Sequence, residues 1–170
     1  MNFLLDTNVV SEWAKPRPDA GIVTWLAEAD EDRIFLSVIT VGELRHGIER
    51  LPAGARRRRL DAWLTEEVPL RFEERLLAID AETANIWGQL MARGEAAGRP
   101  PSTMDAFIAA TVLRHDMILV TRNVSDFEPL GVRLVNPWSN GSGADSDEVA
   151  RAIRDDVARC SGTISPGVAR

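Results

Sequence analysis

Two residue types that often carry chemistry are almost missing. The 170 residues contain one cysteine, Cys160, and one lysine, Lys15. A single cysteine closes no internal disulfide and builds no cysteine-based zinc site. A single lysine, with no Gly-Lys-Ser/Thr sequence anywhere, excludes a P-loop nucleotide hydrolase and most lysine-based catalysis. Long apolar runs are missing too: stretches such as residues 117–121 fall far below the roughly 20 residues a membrane-spanning helix needs. The start, Met1-Asn2-Phe3, lacks the basic segment of a secretory signal. Basic charge is in deficit, with 26 Asp and Glu against 20 Lys and Arg and a net of −6. That argues against the basic footprint of a sequence-independent DNA binder. It does not argue against a nucleic-acid enzyme whose carboxylates hold metal ions. These absences lead to the expectation of a soluble, cytoplasmic chain with no membrane partner.

What is present is ordinary globular material. Hydrophobic residues make up 45% and charged residues 27%, close to globular averages, and the length suits one domain with a short appendage. Such a chain buries a substantial core without disulfides or structural metals. Hydrophobic periodicity and turn residues divide it into alternating elements. Strands are expected at residues 3–5, 34–36, 117–121 and 132–135, with a further short strand at 70–72. Helices are expected at 9–14, 19–29, 40–51, 55–66, 80–97 and 103–114, with breaks at Pro16, Pro52-Ala53-Gly54 and Pro100-Pro101. Short strands alternating with helices predict an α/β fold, a central parallel sheet flanked by helices on both faces. After Trp138 the composition shifts. Residues 139–146 are Ser/Gly-rich and read as a linker, and 147–159 as a narrow amphipathic helix or a disordered tail. The expected division is therefore a domain over 1–138 and an appendage over 139–170.

Four places put an acid or amide close to a junction between strand and helix: Asp6, Glu43, Asp105 and the Asn123–Asp126 turn. In an open parallel sheet the carboxyl ends of neighbouring strands form one crevice, where ligands bind. Carboxylates converging there repel one another unless protons or cations offset the charge. Their hard oxygens suit Mg²⁺ or Mn²⁺. Each residue also has a plainer explanation. Asp6 fits an N-cap, Thr40-Val-Gly-Glu43 fits a capping box, Ser102-Thr-Met-Asp105 is a weaker version of it, and Asp126 sits in a turn. Singly, the cap is the better account of each; the four together at one sheet edge favour a site.

In order along the chain stand Leu4-Leu5-Asp6-Thr7-Asn8, Ser37-Val-Ile-Thr40-Val-Gly-Glu43-Leu44, Asp105-Ala-Phe-Ile108-Ala109-Ala110 and Thr121-Arg-Asn123-Val-Ser-Asp126-Phe127. This series resembles the motifs of PIN-domain ribonucleases, VapC toxins and their FitB-like branch in particular, over roughly residues 1–138. The resemblance implies a PIN-like fold and a Mg²⁺- or Mn²⁺-dependent endoribonuclease, the toxin of a type II toxin–antitoxin pair. It implies Asp6, Glu43 and Asp105 as metal-binding, catalytic carboxylates. At the fourth position Asn123 stands where many relatives carry an acid, and Asp126 lies just beyond; both are candidate ligands, with Asp126 also a candidate catalytic group. Thr7, Asn8 and Thr121 are implied as supporting polar groups. The implied partners are an RNA substrate, a VapB-like antitoxin and a second copy of the chain as a homodimer. A bound divalent ion would lower the pKa of a coordinated water and orient it toward a phosphodiester.

Other features weigh less. Arg56–Arg59 is the only basic run, and consecutive helical residues point in several directions, so a solvated face is the better account than an RNA grip. Residues 1–138 hold 16 Lys and Arg against 21 Asp and Glu, a net of −5, which two divalent ions would bring to −1. Trp13 and Trp25 are expected either in the core or lining an apolar groove for an antitoxin segment. His46 and His115 are expected as surface helix residues, and Cys160 has no assigned role. An alternative function is a dimeric PIN-fold partner of a DNA-binding repressor with little nuclease activity, as in FitAB-like systems. A phosphatase of the haloacid-dehalogenase kind is excluded, because that family wants Asp-x-Asp at the first strand and Asn8 occupies the second position.

Overall fold

Five short strands, all parallel, form one sheet in the order β3-β2-β1-β4-β5 of the computed structural model. They are β1 (Phe3–Leu5), β2 (Ile34–Ser37), β3 (Leu76–Leu77), β4 (Ile118–Val120) and β5 (Leu134–Val135). The structure describes residues 1–140 apart from 14 and 16, and of Trp13, Ser139 and Asn140 the backbone alone. The expected tail helix and most of the expected linker lie outside the described residues, as does the Trp13 side chain. The expected α/β architecture, a parallel sheet flanked by helices, is the one observed.

The centre of the sheet explains the apolar triplet of β1. Phe3 and Leu4 pair with Ile34 and Phe35 on one side, while Phe3, Leu4 and Leu5 pair with Ile118, Leu119 and Val120 on the other. A central parallel strand is covered on both faces and so reads as continuously apolar. Leu5 joins a cluster with Val9, Val10, Ile22, Leu36 and Phe72 on one face. Leu4 joins Ile108, Ala109, Leu119 and Phe127 on the other.

Eight α-helices are found among the described residues: α1 (Thr7–Trp13), α2 (Ala20–Glu28), α3 (Val38–Glu49), α4 (Ala55–Ala62), α5 (Val68–Phe72), α6 (Ala81–Ala96), α7 (Thr103–Arg114) and α8 (Val124–Phe127). The strand expected at residues 70–72 is helical instead. A π-turn, Trp63–Glu67, carries α4 into α5, and Leu64, Val68 and Phe72 are all buried while Leu70 is 74% exposed. Burial every fourth residue is a helical stripe, which an alternating strand cannot satisfy. Val68 donates its amide to the Trp63 carbonyl five residues back, and the next residue, Pro69, has no amide to donate. The third strand falls a few residues later, where Leu76 and Leu77 pair with Leu36 and Ser37.

The topology brings distant residues to one edge. From β1 the chain builds β2 and β3 outward on one side and then returns to build β4 and β5 on the other. The crevice of such a sheet opens at the carboxyl end of the strand where the order reverses, here β1. A short 3₁₀ turn, Pro137–Asn140, packs against α2. Gly21 permits this approach, since a Cβ there would collide with the Pro137 carbonyl oxygen.

Candidate active site

The residue after β1 is Asp6, and its backbone does three things at once. Its amide continues the β1–β4 ladder by donating to the Val120 carbonyl at 3.0 Å, and its carbonyl accepts from Val9 at 3.0 Å and Val10 at 3.3 Å to open α1. The side chain is thereby fixed at the sheet edge, only 5% exposed. Its Oδ1 accepts the Thr7 amide at 2.7 Å, and its Oδ2 accepts Asn8 Nδ2 and Thr121 Oγ1, both at 2.6 Å. Thr121, one residue past β4 and fully buried, in turn accepts from Asn8 Nδ2 at 3.1 Å and from the Asn123 amide at 3.0 Å. The first and fourth strands are thus tied together through one hydroxyl and one carboxylate.

Glu43 reaches the same place from the second turn of α3. The capping box expected at Thr40 is not formed. Ser37 is the N-cap, its Oγ accepting the Ile39 amide at 3.2 Å, and Thr40 is buried inside the helix with its hydroxyl toward the Leu5 carbonyl. Relieved of any capping duty, Glu43 accepts a hydrogen bond from Thr7 Oγ1. Asp105 arrives from α7, which runs down toward β4 and so begins at the carboxyl edge. Here the capping account holds: Ser102 accepts the Asp105 amide at 3.1 Å and donates its hydroxyl to Asp105 Oδ2 at 2.6 Å. That bond occupies one carboxylate oxygen.

Asp6, Glu43 and Asp105 line one cavity of about 360 Å³, together with Thr7, Asn8 and Asn123. Burial pushes the Asp6 carboxyl from its usual 3.8 up to about 6. The Thr121 hydroxyl and the Thr7 amide oppose the rise, and the negative charges of Glu43 and Asp105 add to it. A deep carboxylate that resists ionising, with two others facing it, is a group in need of positive charge. Among the described residues, no three acid, histidine or cysteine side chains are drawn into a finished coordination cage. The acids stand around open space, which suits a small hard cation that keeps part of its water shell. No histidine or cysteine lines the cavity. Carboxylates without histidine or cysteine are donors of the kind hard cations such as Mg²⁺ or Mn²⁺ take, and Asp6, Glu43 and Asp105 are the side chains that could offer them here.

The structure leaves Asp126 outside the cavity lining. It is exposed on α8, where its carboxylate accepts, among the described residues, only a long hydrogen bond from Ser125 at 3.4 Å. Four lining residues escaped sequence reasoning: Ser11, Glu12, Lys15 and Arg122. A signal for three of them existed. Asn8, Ser11, Glu12 and Lys15 stand at i, i+3, i+4 and i+7, which is one face of a helix. Glu12 is 3% exposed and holds Lys15 Nζ at 2.6 Å and the Asp19 amide at 3.0 Å, tying α1 to the start of α2. Trp25 packs edge to face on Phe3, its ring 5.2 Å away, at the margin of the core. Arg56–Arg59 lie on α4 away from the cavity, with Arg57 paired to Glu49.

Comparison with known proteins agrees with this architecture. The chain is 37% identical over 136 residues to the VapC ribonuclease Y4jK of Sinorhizobium fredii, covering 80% of this chain and 97% of that protein. It is 35% identical over 136 residues to the toxin FitB of Neisseria gonorrhoeae, covering 80% of this chain and 98% of that one. Among solved structures, FitAB bound to a DNA fragment superimposes with a TM-score of 0.74 at 34% identity, covering 80% of this chain and 95% of its counterpart. A profile of the PIN domain matches residues 3–128, a span that includes every acid of the cavity, and on these grounds the chain belongs to the PIN-domain family.

Proposed function

We propose that this chain is a divalent-metal-dependent endoribonuclease and the toxin of a toxin–antitoxin pair. The observation that carries the proposal is the convergence of Asp6, Glu43 and Asp105, from the end of β1, the second turn of α3 and the first turn of α7, on one cavity. Relatives named as a VapC ribonuclease and a FitB toxin support both halves of it. Asp6, Glu43 and Asp105 would hold Mg²⁺ or Mn²⁺, which would supply the acidity that water needs to attack a phosphodiester at neutral pH. Asp6 is held rigidly by Thr121, Asn8 and Thr7, so its oxygens need not reorganise when charge arrives. Glu43 is oriented by Thr7, and Asp105, which lines the cavity, has one oxygen engaged by Ser102. With no histidine in the lining, the attacking water loses its proton to solvent or to a carboxylate.

Cleavage is expected to need Mg²⁺ or Mn²⁺ and to leave 5′-phosphate and 3′-hydroxyl ends, because water and not the ribose 2′-hydroxyl is the nucleophile. Incubating the purified chain with RNA, with and without chelator, tests this. Activity surviving excess chelator, or a 2′,3′-cyclic phosphate product, removes the mechanism. The partners proposed are RNA, a VapB-like antitoxin and a second copy of the chain. A second reading is favoured by the DNA-bound FitAB structure: the chain serves a DNA-binding partner as a dimerising half with little nuclease activity. Undetectable cleavage by a folded, Mn²⁺-loaded protein, beside tight binding to the neighbouring gene's product, would favour it.

A further inference from the structure

The cavity holds four acids and two cations, a formal net of −2, and the two cations behave differently. Lys15 is committed to Glu12 by its 2.6 Å ion pair. Arg122 has no carboxylate partner among the described residues, although the three other carboxylates share the cavity with it. Its guanidinium carbon instead lies 5.4 Å from the centre of the Trp138 ring. Its backbone is pinned, because the Arg122 amide donates to Asn8 Oδ1 at 3.3 Å and its neighbour Thr121 is buried in the site. An aromatic face steadies a guanidinium without neutralising it and leaves its N–H donors free at the edge. The cation is therefore held at the rim, close to the acids and unspent.

A polyanion entering a cavity of net negative charge needs a positive group to receive it. We propose that Arg122 is the phosphate-binding residue of this site, gripping a backbone phosphate of single-stranded RNA beside the bond to be cut; the assignment rests on the ribonuclease reading. The contact reads charge and not base, so Arg122 contributes affinity equally for all sequences. Its planar fork matches two phosphate oxygens, which a lysine at the same place would not.

Salt dependence tests this apart from turnover. Steady-state kinetics with Mn²⁺ on single-stranded RNA, at several salt concentrations, would be run beside anisotropy of a labelled strand in chelator. Arg122→Ala should raise KM roughly tenfold, leave kcat within about twofold, and lower the slope of log affinity against log salt by about 0.7. Arg122→Lys should keep the slope and recover part of the KM. Arg56→Ala, an exposed arginine away from the cavity, should move neither quantity. Equal KM and slope for wild type and Arg122→Ala, or the same loss in Arg56→Ala, overturns the assignment. So does a fall in kcat alone, which would make Arg122 a transition-state group. A wild type that neither binds nor cuts RNA removes the ribonuclease reading and this assignment together; a wild type that cuts, with Arg122→Ala indistinguishable from it, removes Arg122 alone.

Discussion

The floor and the rim of the cavity are built on opposite plans. At the floor, Asp6 and Thr121 are buried, follow directly on adjacent strands, and are locked by hydrogen bonds to Asn8, Thr7 and the Asn123 amide. At the rim, Asp105 is half-buried on a helix end and Arg122 and Asn123 are exposed on the turn after β4. The floor places charge where water is scarce and holds it still, at a cost visible in the raised Asp6 pKa. The rim keeps its side chains in contact with water. The difference teaches that the cavity's acids are not equivalent: Asp6 is built into the sheet edge, while Glu43 and Asp105 reach it from helices.

The strongest way to break this contrast is Asp6→Asn. Cleavage should fall by at least about a hundredfold, since loss of even a supporting group at a metal site has effects of that size. The metal-free proteins should also differ in their pH dependence. In the fold Asp6 keeps its proton up to about pH 6, whereas the unfolded chain loses it near 3.8. The folded state thus binds more protons in that window, so wild-type stability falls relative to Asp6→Asn as pH rises from about 4 to about 6, and the deficit then stays constant. The expected size is about 3 kcal/mol, and a constant offset from the amide's own hydrogen bonds would not alter the slope. Chemical denaturation of both proteins across that range, in chelator, measures it. Parallel curves would mean that Asp6 carries no such penalty.

Asp105→Asn sharpens the contrast from the other side. An amide is a poor ligand for a hard dication, so activity should again be lost. Yet the new amide oxygen can still accept from Ser102, and one of three repelling charges is gone, so the metal-free mutant should melt within about 0.5 kcal/mol of wild type, or above it. Mn²⁺ at a hundredfold excess over its dissociation constant should stabilise wild type by about 2.7 kcal/mol, and the mutant should forfeit most of that. Should metal-free Asp105→Asn melt far below wild type, Asp105 serves as a cap first.

A smaller loss is expected of Thr121→Val, which keeps the shape and removes one hydroxyl. Asp6 Oδ2 loses a donor, while Asn8 Nδ2 and the Asn123 amide lose an acceptor. Activity should drop by about 10- to 100-fold and stability by about 1–3 kcal/mol. Activity unchanged beside lost stability would confine Thr121 to the fold.

The floor was legible in the sequence and much of the rim was not, for a physical reason. Strand ends announce themselves by an apolar triplet running into a polar residue, so Phe3–Leu5 points to Asp6 and Ile118–Val120 to Thr121. Glu43 was legible only as one of two things, and Ser37 taking the N-cap removes the capping account by occupying the role for which Thr40 is also suited. Arg122 carries no periodic signal, and its guanidinium lies over Trp138, a residue 16 positions on that sits beside Pro137, the residue that approaches Gly21. Only residues 70–72 misled: their apolar ends read as a short strand, whereas a π-turn carries the helix on past residue 66 and the buried period Leu64, Val68, Phe72 emerges only with the fold.

The smallest effect should come from Asp126→Asn, and for that reason it is the sharpest test of where the rim ends. On sequence alone Asp126 and Asn123 are equal candidates for the fourth position. In the structure Asn123 lines the cavity with its amide on Thr121, while Asp126 points its carboxylate at Ser125 in the first turn of α8. Replacing Asp126 removes a solvated charge near a short helix's N-terminus, a change expected to stay within about 0.5 kcal/mol and to leave cleavage within about twofold. Asn123→Asp should act the opposite way, adding a hard oxygen charge beside the other three acids and raising Mn²⁺ affinity, read by calorimetry in place of turnover. If Asp126→Asn instead abolishes cleavage as Asp105→Asn should, the α8 carboxylate swings into the cavity during the reaction. The rim would then be a moving part, and Asn123 only the residue that holds its place.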